Sequence, residues 1–473
     1  IKIIKAADYI PPDEKRGTSY VAKVIVFSLK VILYRFACGF FSPMQPGLPS
    51  IDQDPQKAMK KAYGRPRSWL YEPPRLPSDL QGLPNLGALA VRGPFACYLR
   101  KVTAGPDQGS FEWNLLELEQ YRVHAGLHHL GVRVLFRVEP DPQAPGTKRL
   151  AACRIDHGSG LSSRPGDEKW ERFQKIALCA LSNHMTLVRH WNWTHMTPVA
   201  YLAIATRNCL PHDHPLRRLL WPHLYGTQES NYFGTMAAMI RGGDFETIFS
   251  FTYRGMCELF EETHQHYDFR INDPEEDARG RQIVGAGFAT PTQDNLKKLF
   301  DVMHEHTKRY VRHYYPDDAQ VRASADVRKW LDWLNDLSYG IPNGVGVTSE
   351  DVTRDSLARL LARIIYLVSG QHEMVGSYLW NYQLWLPVRV YTDNRRELAD
   401  VYQRLVNYNY LLNVTRTKLM QDFSYLALPG DEQAATFFEQ FRRELQALQA
   451  QMENESREIW KIYPEDLEAH INA

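Results

Sequence analysis

Cysteine is scarce in this chain, and a net charge is almost absent. The 473 residues include six cysteines, with no Cys-x-x-Cys pair and no spacing typical of a disulfide framework. Reduced, buried thiols are therefore expected, and they favour a cytoplasmic protein. Because the chain starts at Ile1 instead of Met, a secreted protein with a removed signal peptide stays open.

The charges balance, with 56 Lys and Arg residues against 55 Asp and Glu residues. Such a balance gives no electrostatic reason to expect nucleic acid or an anionic membrane as the main partner. Residues 19–41 form the one candidate membrane segment, but Lys23, Lys30 and Arg35 interrupt it. We expect a soluble protein in which this segment is an amphipathic helix. Packing on the core and peripheral contact with a membrane surface are the two alternatives.

Internal repeats and low-complexity tracts are also absent, so only local sequence patterns separate the chain into regions. Residues 42–95 are rich in Pro and Gly and predict an extended wrapping segment without helices. Between 96 and 156, the runs "FACYLRKV", "VRVLFRVEP" and "RLAACRI" predict a small sheet. A loop over 160–170 leads into the first long helix.

From residue 170 onward the apolar periodicity is mostly helical. Predicted helices cover 170–206, 245–267, 292–311, 326–339, 356–382 and 397–420. The pattern predicts a mainly α fold in one domain over 1–473. That domain consists of an N-terminal wrapping segment with a small β subregion (1–165) and a helical core (166–473).

The stretch "HWNWTH" places His190 and His195 five residues apart. On a regular α-helix this step leaves the two side chains roughly 140° apart, so they would not converge on one ion. A π-helical turn has about 4.4 residues, and the same step then leaves roughly 50°. The spacing by itself fits either two unrelated histidines or a π-bulged metal-binding helix.

The residues that follow resemble the central helix of lipoxygenases. That family has a His-x4-His pair, then an "AT…CLP…HP…LL.PH" run, and an Asn eight residues after the last His. With one inserted residue before Cys209, the matching residues here are Ala205, Thr206, Cys209, Leu210, Pro211, His214, Pro215, Leu219, Leu220, Pro222, His223 and Asn231. The resemblance implies that His190 and His195 lie on a long central π-bulged helix and are catalytic ligands of a non-haem iron.

Two further ligands are implied by the same resemblance. The family has a third histidine within a "QH" motif about 175 residues on, and His372 lies 177 residues after His195. Lipoxygenases also bind iron through the carboxylate of their last residue. Here that role is expected for Ala473, provided that it is the true terminus. Three imidazoles and one carboxylate suit Fe(II), with Mn(II) as the alternative.

The resemblance implies a function. Lipoxygenases take a hydrogen atom from a bis-allylic carbon of a polyunsaturated fatty acid, and O2 adds to the resulting radical to give a hydroperoxide. We therefore expect a lipoxygenase-like dioxygenase acting on a polyunsaturated fatty acid or lipid-like small molecule, as a monomer or weak oligomer. The separate β-sandwich domain of many lipoxygenases is not evident, so a minimal single-domain form is expected.

Several positions depart from the family pattern. Gly376 stands where lipoxygenases carry an Asn or His ligand, so water is the expected replacement. Thr186 and Leu379 stand where two glutamines are usual. Gly234 stands where lipoxygenases carry Ala or Gly, and Ala238 stands where they carry a bulky Leu. Together with Gly376 they are the expected substrate-binding positions. Gly234 and Ala238 predict a wider cavity with an oxygen pocket, and a repacked helix interface is the alternative.

These departures keep two other hypotheses open. One is an atypical lipoxygenase-fold enzyme, such as a hydroperoxide isomerase or an oxidase of a non-fatty-acid metabolite. The other is a catalytically silent lipid-binding protein.

Overall fold

Helices make up most of the chain in the computed structural model, which describes residues 85–378 and 417–471. Positions 456, 457 and 459 are outside that description, while seven positions between Thr18 and Leu33 belong to it. The helices, in chain order, are α1 Leu86–Leu89, α2 Trp170–His184, α3 Ala200–Cys209, α4 Pro215–Leu224, α5 Thr227–Gly234, α6 Asp244–Ile248, α7 Tyr253–Gln265, α8 Pro274–Gly280, α9 Pro291–Tyr314, α10 Asp318–Ala323, α11 Ala325–Asn335, α12 Arg354–Tyr366 and α13 Glu432–Glu455.

A small antiparallel sheet lies in the N-terminal third. Its strands are β1 Arg100–Lys101, β2 Phe111–Leu115, β3 Val132–Pro140, β4 Lys148–His157 and β5 Ser162–Ser163, paired in that order. The predicted run "VRVLFRVEP" is the whole of β3, which pairs with β4 from Val132–His157 to Pro140–Lys148. Val132, Val134 and Phe136 alternate along β3 and are buried, as expected for a strand with one face on the core. The sheet packs against α2.

The first predicted strand is largely wrong. Pro94–Tyr98 forms a 3-10 helix, and only Arg100–Lys101 is extended. Pro94 occupies the first turn of this helix, where a missing N–H costs nothing, and Gly93 enters it at a φ of 81°. The prediction of no helix within 42–95 also fails at Leu86–Leu89, which the Asn85 side chain caps. Strand β2 was not predicted.

One long central helix runs from Trp170 to Cys209. Its ends, α2 and α3, are α-helical, while its middle, Met185–Val199, is a 15-residue π-helix. Side chains on all sides of it are buried, as is typical of a helix at the centre of a large domain. The prediction of a mainly α fold around a π-helical central helix, with a small β subregion, is confirmed.

A second core helix lies beside the central one. It starts as α12 and continues through two π-helical turns, Leu367–Gln371 and Met374–Tyr378. Thr353 and Ser356 form a capping box at its start, which fixes where the helix begins. Helix α9 packs along α12 and also contacts α13. The π-helical parts of the two core helices contact each other directly, so the two helices lie side by side in the core.

The segment over residues 19–41 was expected either to pack on the core or to contact a membrane surface, and its described residues differ from the first expectation. Val21, Ile25, Leu29 and Leu33 are helical, and between 47% and 69% of each residue is exposed. This exposure contradicts packing on the core for these positions, and contact with a membrane surface stays a prediction. Residues 42–84 and most of the predicted helix over 397–420 lie outside the described residues. Within the described part, every helix is too short or too polar to cross a bilayer.

Candidate metal centre

The π-helical segment has identifiable local causes. Pro198 lies within it and has no N–H to donate to the preceding turn. The Thr194 hydroxyl donates to the carbonyl of Arg189, five residues back, at 2.8 Å. Both features disturb the regular α-helical pattern of hydrogen bonds in favour of a wider turn. The wider turn lets side chains five residues apart point in nearly the same direction.

His190 and His195 use this geometry to converge with His372 from the second core helix. The Nε2 atoms of His190 and His195 lie 3.1 Å apart, and those of His195 and His372 are also 3.1 Å apart. The Nε2 atoms of His190 and His372 are separated by 3.2 Å. All three residues are buried. The structure thus brings together the three histidines that the sequence singled out.

The three nitrogens fit a transition-metal ion. An ion about 2.1 Å from each nitrogen would bind them at angles of roughly 95–100°, nearer to one face of an octahedron than to a tetrahedron. Such a face leaves the opposite positions for other ligands, an arrangement that suits Fe(II) or Mn(II). In the described part of the chain, this is the one group of three or more His, Cys, Asp or Glu side chains arranged to hold a metal. Asn472 and Ala473 lie outside it, so the Ala473 carboxylate stays a predicted ligand.

Asn231, on α5, orients the His195 ring. The Asn231 Nδ2 donates to the His195 carbonyl at 2.8 Å, which turns Oδ1 toward His195 Nδ1 at 3.2 Å. Because an amide oxygen only accepts, Nδ1 carries the ring proton and donates it. Nε2 is then left with a lone pair directed at the other two histidines. Trp191 stacks on the same ring, with centroids 4.8 Å apart.

Replacing Asn231 with leucine is expected to weaken metal binding. The variant removes the acceptor that fixes the His195 tautomer while keeping a side chain of similar size. Loss of such an outer hydrogen bond typically lowers metal affinity about 10–100-fold. Chelator competition on the wild-type and Asn231→Leu proteins measures this change. An unchanged affinity would mean that the Asn231 contact does not orient a metal ligand.

Gly376 faces the His190 ring from the second core helix. A β-carbon built at Gly376 would lie 2.9 Å from His190 Nε2 and 3.3 Å from both Cδ2 and Cε1. The absence of a side chain therefore lets the imidazole pack directly against the helix backbone. Thr186 and Leu379 also depart from the lipoxygenase pattern. The Thr186 hydroxyl donates to the Ser182 carbonyl at 3.1 Å, and Leu379 lies outside the described residues.

The space expected beside Gly234 is filled. A β-carbon at Gly234 would come within 2.1 Å of Cη2 of Trp191, whose indole occupies the position predicted as an oxygen pocket. The Trp191 indole nitrogen donates to the sulfur of Met239, and Phe245 packs edge-on against the ring. The structure therefore contradicts an open pocket at this point. A substrate-binding role for Gly234 and Ala238 stays a prediction.

Replacing Gly234 with alanine is expected to destabilise the protein. The added methyl group overlaps the Trp191 ring, which is held between His195 and Met239, and overpacking of this kind typically costs about 1–3 kcal/mol. Thermal unfolding measures the loss. Gly280→Ala is the matched control, because a β-carbon there has no atom within 4 Å. Equal stability of the two variants would mean that Trp191 moves aside freely.

Two further buried histidines, His184 and His223, belong to the scaffold. The hydroxyl of Tyr98 donates to His184 Nδ1 at 2.6 Å, and burial, reinforced by nearby Arg189, lowers the pKa of His184 to about 3. His223 Nδ1 donates to the Ala469 carbonyl at 2.8 Å, and burial lowers its pKa to about 4. Both are therefore neutral at ordinary pH and hold elements together.

Sequence reasoning missed the part played by Trp191. Trp191 directly follows His190, the first predicted ligand. An aromatic residue inside the His-x4-His pair was the available sign that a ring packs near the metal ligands. The contact of Trp191 with His195 joins residues four apart, which share one face of a helix.

Comparison with known proteins places these observations in context. No family model matches the chain. It is 25% identical over 188 residues to the bovine polyunsaturated fatty acid lipoxygenase ALOX15, a match that covers 39% of this chain and 28% of that protein. With human ALOX15B it shares 24% identity over 259 residues, which cover 52% of this chain and 37% of the relative. The chain thus matches about a quarter to a third of these relatives' length.

The structural similarity extends further than the sequence similarity. A coral 8R-lipoxygenase structure superposes with a TM-score of 0.79 at 16% identity, covering 99% of this chain and 76% of that one. A lipoxygenase structure in complex with arachidonate gives a TM-score of 0.76 at 16% identity, covering 99% and 77%. The chain has the fold of the lipoxygenase catalytic helical domain, and the resemblance seen in the sequence is confirmed.

Proposed function

We propose that this chain, which has the lipoxygenase fold and resembles lipoxygenases in sequence, is a metal-dependent dioxygenase of polyunsaturated fatty acids. The observation that carries the proposal is the convergence of three buried imidazole nitrogens at 3.1–3.2 Å. Three imidazole nitrogens packed this closely in a core are suited to a shared cation.

His190, His195 and His372 would hold the metal, with the Ala473 carboxylate as a proposed fourth ligand. Iron is the proposed metal and manganese the alternative. When bound, the metal would supply one-electron chemistry: it would take up the electron as the bis-allylic carbon loses a hydrogen atom, and return it with a proton to the peroxyl radical that forms when O2 adds. The product is a lipid hydroperoxide.

The chain's own residues prepare the site for this chemistry. Asn231 keeps the ring proton of His195 on Nδ1, so that Nε2 presents its lone pair to the metal. Trp191 stacks on the His195 ring and limits its rotation. Burial of all three histidines keeps bulk water away from them. These contacts position the ligands before a metal binds, which favours tight binding.

A fatty acid is the proposed substrate class because of the relatives. The bovine and human proteins are polyunsaturated fatty acid lipoxygenases, and one structural neighbour binds arachidonate.

Atypical chemistry on the same fold is the second candidate, and Gly376 favours it. Lipoxygenases carry a ligand side chain at that position, whereas here the backbone lies against His190. A metal with one protein ligand fewer has another position open to water or to an oxygen atom of substrate. Hydroperoxide isomerisation, or oxidation of a metabolite other than a fatty acid, would use such a position.

Metal analysis of the freshly purified chain, followed by oxygen uptake with linoleate and arachidonate, tests these candidates. One equivalent of iron or manganese, with oxygen uptake and a conjugated-diene product, supports the dioxygenase. Metal without uptake supports the atypical enzyme, which a lipid hydroperoxide assay then examines. A chain that retains no metal and takes up none would contradict both and favour a silent lipid-binding protein.

A further inference from the structure

An exposed apolar surface lies on the helical segment between Thr18 and Leu33. Each described position of this segment is helical and exposed, and all but Thr18 are apolar. At about 100° per residue these positions fall within an arc of roughly 140°, so they share one side of a helix. This surface, the N-terminal apolar face, consists of Thr18, Val21, Ala22, Ile25, Val26, Leu29 and Leu33.

Exposed apolar side chains are concentrated on this face. Val21, Ile25, Val26, Leu29 and Leu33 are between 47% and 69% exposed. They are five of the twelve large apolar residues exposed in the described part of the chain, and the other seven come from five separate places in the sequence. Exposed apolar residues that occur singly are normal, but a contiguous set marks a surface that another molecule covers.

The sequence that carries this face is strongly basic. Between residues 15 and 35 there are three Lys and two Arg, and there is no Asp or Glu. The nearly equal charge totals of the whole chain conceal this local excess. An apolar face within a basic segment matches a surface that offers an apolar layer beneath negative groups, and an anionic lipid bilayer has both.

We propose that the N-terminal apolar face docks on the surface of an anionic lipid bilayer. Its apolar side chains enter the boundary between the headgroups and the acyl chains, while the basic residues of the segment attract the negative headgroups. A span across the bilayer is disfavoured, because Lys23 and Lys30 would lie in its apolar interior. Docking requires neither a metal nor the histidine cluster.

Co-sedimentation of the metal-free chain with lipid vesicles tests this proposal. Vesicles that contain phosphatidylglycerol are expected to bind the chain more tightly than vesicles of phosphatidylcholine alone, and added salt should weaken that binding. In the double variant Lys23→Gln, Lys30→Gln, binding to the anionic vesicles is expected to fall about fivefold for each charge removed. Equal binding of the wild type to both kinds of vesicle would contradict an anionic surface.

The variant Leu29→Asp tests the apolar part of the contact. It replaces an apolar side chain with a charge that the headgroups repel, so vesicle binding is expected to fall about tenfold or more. Leu337→Asp is the matched control, because Leu337 is a leucine that is 93% exposed outside this face. The control should bind vesicles as the wild type does. Circular dichroism checks that both variants keep their helical content.

Three results would overturn the proposal. The first is a wild-type chain that binds neither kind of vesicle, and the second is equal binding by wild type, Leu29→Asp and Leu337→Asp. The third is a dimer, detected by sedimentation velocity without vesicles, that Leu29→Asp abolishes. That dimer would assign the N-terminal apolar face to a second copy of this chain.

Discussion

His195→Ala is expected to abolish both metal binding and lipid oxidation. The His195 Nε2 lies 3.1 Å from each of its two partners, so its loss leaves only two imidazoles facing one another. The Asn231 amide and the Trp191 ring would also lose the group that they position. Metal content should fall from about one per chain to near zero. Oxygen uptake should drop by more than the roughly 100-fold typical of losing an outer contact alone.

His264→Ala provides the matched control for this change. His264 Nδ1 bonds the Thr197 hydroxyl of the same central helix at 2.9 Å, and its ring stacks on Tyr201. It is partly buried but contacts none of the three clustered histidines in the contacts described. The control variant should therefore keep its metal and most of its activity. Equal metal content in the two variants, whether high or low, would contradict a role specific to His195.

Gly376→Ala is expected to have the second-largest effect. The added β-carbon would lie 2.9 Å from His190 Nε2, the atom proposed to bind the metal, and 3.3 Å from two neighbouring ring atoms. Contacts this short force the ring or the buried helix backbone to move. Overpacking in a core costs about 1–3 kcal/mol, and if the His190 position absorbs that strain, metal affinity falls roughly 5–150-fold.

Chelator competition measures the metal affinity, and circular dichroism checks that the helical content is kept. Gly280→Ala again serves as the control, because its β-carbon meets no neighbouring atom. Wild-type metal affinity in Gly376→Ala would show that the His190 ring tolerates a side chain there. The close packing of Gly376 against His190 would then not be required for metal binding.

Local sequence pattern predicted those features that depend on local geometry. Strand β3 was recovered in full, because its apolar residues alternate along a half-buried strand. The five-residue step between His190 and His195 left a π-helical turn as one of two alternatives, and the lipoxygenase resemblance selected it. His372 was identified through its distance along the chain in the lipoxygenase resemblance. No local pattern links it to the other two histidines.

Features that depend on neighbours distant in sequence were not predicted. Gly234 suggested an open pocket, yet the Trp191 indole fills that space, since a ring in a close-packed core occupies any gap that a missing methyl group leaves.

Two local signals were overlooked. Pro94 favours the 3-10 helix that forms where the apolar run suggested a strand. Helix α13 was within reach of sequence reasoning, because Phe438, Phe441, Leu445, Leu448 and Met452 are buried at helical spacing.

Oxygen uptake as a function of metal occupancy tests the central claim most directly. The chain is stripped with a chelator and reloaded with iron, or in parallel with manganese, to a series of measured metal-to-protein ratios. Uptake with arachidonate or linoleate is then recorded for each sample. If the three-histidine cluster is the catalytic centre, the rate should rise in proportion to occupancy and level off at one metal per chain. A fully loaded chain that consumes no oxygen, or a rate independent of metal, would contradict it.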